Sequence, residues 1–462
     1  MRTWLALAAF SLGATHLAGQ DQQRQLEREI FRELIEANTS DSARDFGGIT
    51  TKIADRLKAA GFPAGDIVVE GHAPGFLNLV ARYRGSNRTK KAIMTMAHLD
   101  VVDARKEDWS FDPYIFLERD GFYYGRGTSD NKAGAAILIA NFVRLKTEGF
   151  VPDRDLIMVL TSDEETAGDA IKWLVSKRRE LVDAEYALNT DAGGGASKDG
   201  KPLAFAVQAS EKMYISFTLE VRNKGGHSSI PVADNAIYRL SRGLDKLSRY
   251  TFPVQLNEVS RGFFRETAKT ETRSTAADMR ALALRTDPLA ARRLSAQSPY
   301  FNSVMRTTCV ATRLFGGHAD NALPQLARAT VNCRLVPDHR PDSVVATLKR
   351  VMGDTAISIA VSFEPTPSPA SPLRADVLKP IERLVNATWP GIPIVPEMST
   401  GATDGLYVRN AGIPVYGVSA IFGDIDDVRA HGRDERVGVS EFHQASTFWY
   451  QMLKTLTSPP KA

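Results

Sequence analysis

Short apolar runs, several ending in acidic or histidine residues, alternate along this chain with segments of helical period, and that alternation most restricts the folds open to it. Residues 93–97, 156–160, 186–188 and 415–418 are mostly apolar and too short for helices, as expected of strands buried on both faces. Helical periodicity appears earlier at Ile30, Leu34 and Ile35, and again at Ile53 and Leu57 before a stop at Gly61. Between the strands, Ala136, Ile139, Ala140 and Val143 mark one face of a helix that ends at Gly149. This order predicts an α/β fold with a mainly parallel sheet covered by helices, which takes up ligands at the carboxyl ends of its strands.

Between roughly 213 and 365 the texture changes to alternating strands, such as Tyr214-Ile215-Ser216-Phe217-Thr218-Leu219, and a polar helical stretch from about 270 to 295. That region reads as an inserted α+β domain, and Pro365-Thr366-Pro367-Ser368-Pro369 as the linker that returns the chain. A length of 462 residues exceeds what one hydrophobic core usually serves. The expected organisation is a leader over 1–19, a catalytic domain in two parts over 20–212 and 366–462, and the insertion over 213–365.

The leader is expected because Arg2 precedes an apolar run from Trp4 to Leu12, followed by Ala14, Ala18 and Gly19 and then the polar Asp21-Gln22-Gln23. The run is shorter than the roughly 20 residues a membrane span needs, so a signal peptide is favoured over an anchor, and export to a periplasmic or extracellular space follows. No later segment is long and apolar enough to span. The 58 Lys+Arg and 54 Asp+Glu are scattered and sum to +4, which argues against a nucleic-acid partner. Lys177-Arg178-Arg179 follows Trp173, Leu174 and Val175 and reads as the wet face of a helix. Two cysteines cannot build a zinc finger. After export, Cys309 and Cys333 either pair across a hairpin, flanking Gly316-Gly317 and Asn321, or stay as two buried thiols.

The residues that carry chemistry stand after the strands. His98-Leu99-Asp100 follows the first, Glu164-Glu165 the second and Asp191 the third, while His431 lies beyond the last. Asp130 ends Gly125-Arg126-Gly127-Thr128-Ser129-Asp130, just before a helix that starts near Asn131. Singly, each such acid is ordinary solvated surface; together, in these slots, they converge on one crevice. Imidazole with several carboxylates and no thiolate suits zinc, and tolerates cobalt or manganese. The carboxylates are too many for one ion, whereas two ions bridged by one carboxylate would neutralise them.

With Met96-Ala97-His98-Leu99-Asp100-Val101-Val102, Gly125 through Asp130 and Lys132, Ser162-Asp163-Glu164-Glu165, Gly225-Gly226-His227-Ser228-Ser229 and His431 before Glu435, the chain resembles the M20 metallopeptidases over nearly its whole mature length. That family includes aminoacylase, succinyl-diaminopimelate desuccinylase, glutamate carboxypeptidase and carboxypeptidase S. The resemblance implies two Zn2+, one held by His98 and Asp191, the other by Glu165 and His431, with Asp130 bridging and a cis peptide after it. It implies that Asp100 orients the His98 ring and that Glu164 is the general base, taking a proton from the attacking water and giving it to the leaving amine. It also implies that the insertion is a lid that pairs two subunits, that His227 reaches a neighbouring subunit's oxyanion, and that Asn321, Arg334, Thr400 and Gly401 contact substrate. One departure concerns the Asp191 ligand: many members read Asp-Glu-Gly or Glu-Gly where this chain has Asp191-Ala192-Gly193.

The function expected is an exported di-zinc peptidase acting on small peptides with a free carboxylate, a carboxypeptidase or dipeptidase. The alternatives are an N-acyl amino acid hydrolase or a non-catalytic peptide-binding relative, the latter disfavoured because Glu164 and all five metal positions are present. A serine hydrolase is disfavoured because Gly226-His227-Ser228-Ser229-Ile230 lacks the last glycine of a nucleophile elbow. A phosphate loop at Gly195 to Lys201 fails because Pro202 stands where Ser or Thr would hold magnesium.

Overall fold

A computed structural model describes residues 3–459, with side chains from Gly19 onward, and the chain divides into two compact units. The expected leader therefore lies, apart from Gly19, outside the residues whose side chains are described. The first unit comprises Met1–Gln208, Pro372–Val395 and Thr403–Ala462; the second comprises Ala209–Ser371 and Pro396–Ala402.

The first unit is built on a large sheet whose strand order is Ile67–Ala73, Phe76–Tyr83, Leu156–Thr161, Ile93–His98, Tyr186–Asn189, Val415–Gly417, Lys201–Glu211, Gly194–Lys198 and Phe422–Asp424. Its central strands, from Leu156–Thr161 to Val415–Gly417, are parallel. Antiparallel pairs follow on either side, an arrangement that the strand sequences did not reveal. Every residue of Ile93–His98, Leu156–Thr161 and Tyr186–Asn189 is buried, which explains why these runs show no polar alternation. On one face, Met94, Met96, Ile157 and Val159 pack with Ile171, Leu174 and Val408. Each such fully buried aliphatic side chain contributes roughly 1.5–3 kcal/mol.

The other face carries the helix Lys132–Thr147, which in turn packs against the first helix, Thr3–Glu36, and the last, Val439–Thr457. Covered on both sides, it is buried around most of its circumference, including Ala133, Ile137, Ile139 and Phe142. A separate three-stranded sheet sets Arg436–Gly438 beside Phe122–Tyr124. The glycine-rich stretch before Lys201 forms a tight hairpin, with Lys198 opposite Lys201 and positive φ at Asp199 and Gly200. It precedes a strand rather than a helix, so it has no phosphate-cradling geometry. No helix among the described residues is long and apolar enough to cross a membrane.

The second unit has a four-stranded antiparallel sheet in the order Thr308–Gly316, Leu326–Leu335, Met213–Arg222, Ser358–Phe363. Phe217, Leu219, Ala329 and Val331 pack with Leu240 of the helix Ala236–Arg249 and Leu348 of Pro341–Met352. The polar stretch resolves into two helices, Arg273–Arg285 and Pro288–Gln297, rather than one. The break has a local cause: Thr286 adopts a left-handed conformation, and Asp287 caps the next helix by accepting from Leu289 N and Ala290 N, with Pro288 at its first position.

Cys309 and Cys333 lie opposite each other on neighbouring strands and form a disulfide, which settles the two readings left open by the sequence. The link closes a loop with a sequence separation of 24, worth roughly 3 kcal/mol by loop-closure entropy. Replacing both cysteines by alanine is expected to destabilise the second unit by about that much. An unchanged guanidinium chloride midpoint would contradict this.

Candidate metal centre

The parallel strands deliver their ends to one place. His98 closes Ile93–His98, and its Nε2 lies 3.0 Å from Asp130 Oδ1 and 3.4 Å from Asp191 Oδ1. The other carboxylate oxygen of Asp130 is 3.1 Å from His431 Nε2, which is itself 2.9 Å from Glu165 Oε1. Two triples result, His98/Asp130/Asp191 and Asp130/Glu165/His431, and each has its donor atoms within 4.8 Å of one another. Asp130 is the member they share, and the peptide bond that follows it, Asp130-Asn131, is cis.

Asp100 stands behind this pair. It is buried, its Oδ2 accepts from Glu165 N at 2.8 Å, and its Oδ1 is 3.5 Å from His98 Nδ1 without a hydrogen-bond partner among the described residues. His98 Nδ1 also lies 3.0 Å from the Asp100 carbonyl, so two oxygens face the far side of the ring. A proton on Nδ1 would meet either of them and leave the Nε2 lone pair pointing at Asp130 and Asp191. Glu164 and Asp191 are close enough to repel each other. Burial first, and then Asp191, pushes the Glu164 carboxyl well above the ordinary range.

The remaining acids and imidazoles of the cluster shift one another. Burial raises Asp191 to about 7. Hydrogen bonds donated to the Asp130 and Glu165 carboxylates raise His431 to about 10. Burial opposes charge on His98, yet Asp191, Asp100 and Asp130 together hold its pKa well above the ordinary histidine value. The two imidazoles are thus the groups on which the acids act to favour positive charge. Two divalent cations at the same positions would supply that charge, with nitrogen and oxygen donors that fit zinc, cobalt or manganese.

Asp404 and Glu435 have roles that sequence reasoning did not assign. Asp404 is buried, accepts from Thr161 Oγ1 at 2.5 Å, and is pushed up to about 8 chiefly by burial. Glu435 is fully buried beneath the loop that ends in Asp130. Its spacing after His431 marks a family pattern but not a structural task.

The other expected site residues stand in the second unit. His227 is exposed on the short strand Gly226–His227, paired with Ala322–Leu323, and its Nδ1 lies 2.7 Å from Ser229 Oγ. Asn321 is its neighbour there, accepting Ser228 N at its carbonyl. Arg334 stacks on Tyr214, with its guanidinium 4.6 Å from the ring centroid. Thr400 and Gly401 are half-buried, and Gly401 N donates to Ser399 Oγ. Lys212, not anticipated, is fully buried near Arg334; burial and then Arg334 lower its pKa to about 7.

Comparison with known proteins agrees with this geometry. Residues 94–455 match the profile described as peptidase family M20/M25/M40, a span that includes every residue of both triples. The chain is 28% identical over 395 residues to the N-fatty-acyl-amino acid synthase/hydrolase PM20D1 of Mus musculus, covering 81% of this chain and 77% of that protein. It is 26% identical over 439 residues to aminoacylase-1 of Mus musculus, covering 93% and 95%. Among solved structures, the M20 family metallo-carboxypeptidase Sso-CP2 of Sulfolobus solfataricus superposes with a TM-score of 0.69 at 18% identity, covering 93% of this chain and 99% of that one. At that identity the likeness establishes the fold.

One consequence of the electrostatics can be measured directly. At pH 8 the His431 imidazole, raised to about 10, holds a proton, and a cation that ligates through its nitrogen must expel it. Calorimetric Zn2+ titration at pH 8, repeated in buffers of different ionisation enthalpy, is expected to show proton release. Heats independent of the buffer would mean that His431 is not a ligand.

Proposed function

From the premise that the chain belongs to peptidase family M20/M25/M40, and is therefore a metal-dependent hydrolase, we propose an exported, two-zinc enzyme that cleaves an amide bond whose leaving group is an amino acid with a free carboxylate. The observation that carries this reading is the shared Asp130, which belongs to both donor triples, while Glu164, next to the Glu165 donor in sequence, belongs to neither. His98 and Asp191 would hold one cation, Glu165 and His431 the other, and Asp130 would bridge them. Bound there, the cations would supply Lewis acidity toward the scissile carbonyl and the attacking water.

The work left to the chain is proton movement and orientation. Glu164 takes a proton from the attacking water and delivers it to the leaving nitrogen, and its raised pKa suits a group that must do both. Asp100 holds the His98 ring in one orientation. In the second unit, neither Lys212 nor Arg334 forms an ion pair among the described residues, and burial lowers the pKa of both. Two buried basic groups without a carboxylate partner among the described residues fit the recognition of a substrate carboxylate, whose charge would favour their protonated forms. Asn321, Thr400 and Gly401 would add polar contacts, and His227 would donate to the oxyanion of a neighbouring subunit across a lid-mediated dimer.

Two substrate classes have the required leaving group, small peptides and N-acyl amino acids. The peptide reading rests on the leader and the long insertion. The relatives at 26–28% identity, named for N-fatty-acyl-amino acids and as an aminoacylase, favour the N-acyl amino acids as the second reading.

Glu164→Gln is expected to lower kcat by about 10²–10⁴ while metal content stays at the wild-type level. Nearly normal turnover would assign the base to another group. A panel of dipeptides and N-acyl amino acids, each with its carboxylate free or amidated, tests the substrate class: the amidated forms should lose most of kcat/KM, and equal rates would remove Lys212 and Arg334 from recognition. Amino-terminal sequencing of protein recovered outside the cytoplasm is expected to begin near Gln20.

A further inference from the structure

The loop that ends in Asp130 makes few hydrogen bonds of its own, and it is held by a side chain 305–309 residues away. Glu435 Oε1 accepts from Ser129 N at 2.7 Å, Ser129 Oγ at 2.9 Å and Asp130 N at 3.1 Å. Its Oε2 accepts from Arg126 Nη1 at 2.7 Å and Gly127 N at 3.1 Å. The carboxylate is fully buried, and both of its oxygens are committed to this one loop. A buried anion that receives several N–H and O–H donors is a rigid anchor, because losing it strands every donor in a low-dielectric site.

The same anchor reaches the second imidazole. Arg126, itself buried, donates through Nη1 to Glu435 and through Nη2 to the His431 carbonyl at 3.3 Å. His431 has a positive φ of 62°, uncommon for a residue with a side chain, so its backbone must be held in place by its surroundings. Backbone pairing fixes the register of the two loops, since Gly125 N donates to Glu435 O and Arg436 lies opposite Tyr124. Gly127 has a φ of 91°, which lets the loop turn its N–H toward Glu435.

The two triples depend on this anchor unequally. In Asp130/Glu165/His431, two of the three donors are positioned by the Arg126–Glu435 pair. In His98/Asp130/Asp191, only one is, because His98 rides on a central strand and Asp191 N is fixed by Asn189 Oδ1 at 3.1 Å. We infer that Glu435 is the positioning residue of the Asp130/Glu165/His431 site, so that loss of its charge releases the cation held there while the cation at His98/Asp130/Asp191 stays. The inference rests on the two-cation reading and adds an asymmetry that the reading itself does not contain. Removing the charge acts twice: it leaves the loop donors unpaired, and it leaves Arg126 as an uncompensated buried cation beside a site that must accept another.

The test is a titration of the full-length chain, stripped by chelation and refilled with Co2+, with stoichiometry read by elemental analysis and affinities by calorimetry. Wild type is expected to take two ions. Glu435→Gln, which preserves shape but removes the charge, is expected to keep one ion at wild-type affinity and to bind the other about 10–100-fold more weakly, with kcat recovering as Co2+ is raised. A merely structural role would lower the melting temperature without separating the two ions. Should Glu435→Gln fail to fold, Glu435→Asp keeps the charge on a shorter side chain and is expected to show the same selective weakening to a smaller degree. Two ions bound at wild-type affinity in the variant that folds, or both weakened alike, would overturn the inference and leave the two-cation reading standing. A wild-type chain that takes up no Co2+ would overturn that reading and this inference with it.

Discussion

Asp130 divides its two carboxylate oxygens between imidazoles 3.0 and 3.1 Å away, and much of the first unit can be understood as what keeps it there. A carboxylate placed among other carboxylates is repelled by them, and burial strengthens that repulsion. The acids near it answer in different ways: Asp404 and Glu164 are driven toward the neutral form, while the two imidazoles hold Asp130 toward the ionised form. Such a cluster is unfavourable unless positive charge is supplied, and the scaffold accordingly brings His98 and His431 to it from opposite ends of the sequence.

That scaffold is rigid for ordinary reasons. The strand ending in His98 is buried throughout between two parallel neighbours, and the helix that begins two residues after Asp130 is covered by the first and last helices of the chain. The Asp163 carboxylate caps the helix Asp169–Lys177 by accepting Asp169 N and Ala170 N at 2.9 Å each, and so fixes the turn that carries Glu164 and Glu165. His72 Nε2 lies 3.6 Å from Asp163 Oδ2. Side chains that would move protons or hold cations are thus mounted on elements whose own positions are set by apolar burial and capping.

Much of this was legible in the sequence because the geometry of a parallel sheet turns order along the chain into proximity: residues after successive strands converge without any pairwise information. His98, Glu164, Glu165 and Asp191 could be read in that way, and Asp130 from the glycine-rich turn before a helix. The antiparallel pairs that flank the parallel centre could not, because a strand that is half-buried looks much like any alternating run. Glu435 was visible only as a motif letter; its donors at 126–130 are joined to it by backbone pairing between strands that no local pattern connects. The break at Thr286 was missed because a left-handed threonine leaves no compositional trace, although Asp287-Pro288 is a recognisable helix start. Lys212 was hidden for a similar reason, since a lysine at the edge of a strand is ordinarily solvated and only the fold shows it buried without an ion-pair partner among the described residues.

The central claim, that the acids around Asp130 are arranged to share two cations, is tested most directly by anomalous diffraction from crystals grown with zinc and measured at the zinc absorption edge. Two peaks are predicted about 3.5–4 Å apart, one on each side of the Asp130 carboxylate, with His98 and Asp191 at the first and Glu165 and His431 at the second. A single peak, or a pair of peaks that does not have Asp130 between them, would contradict the account.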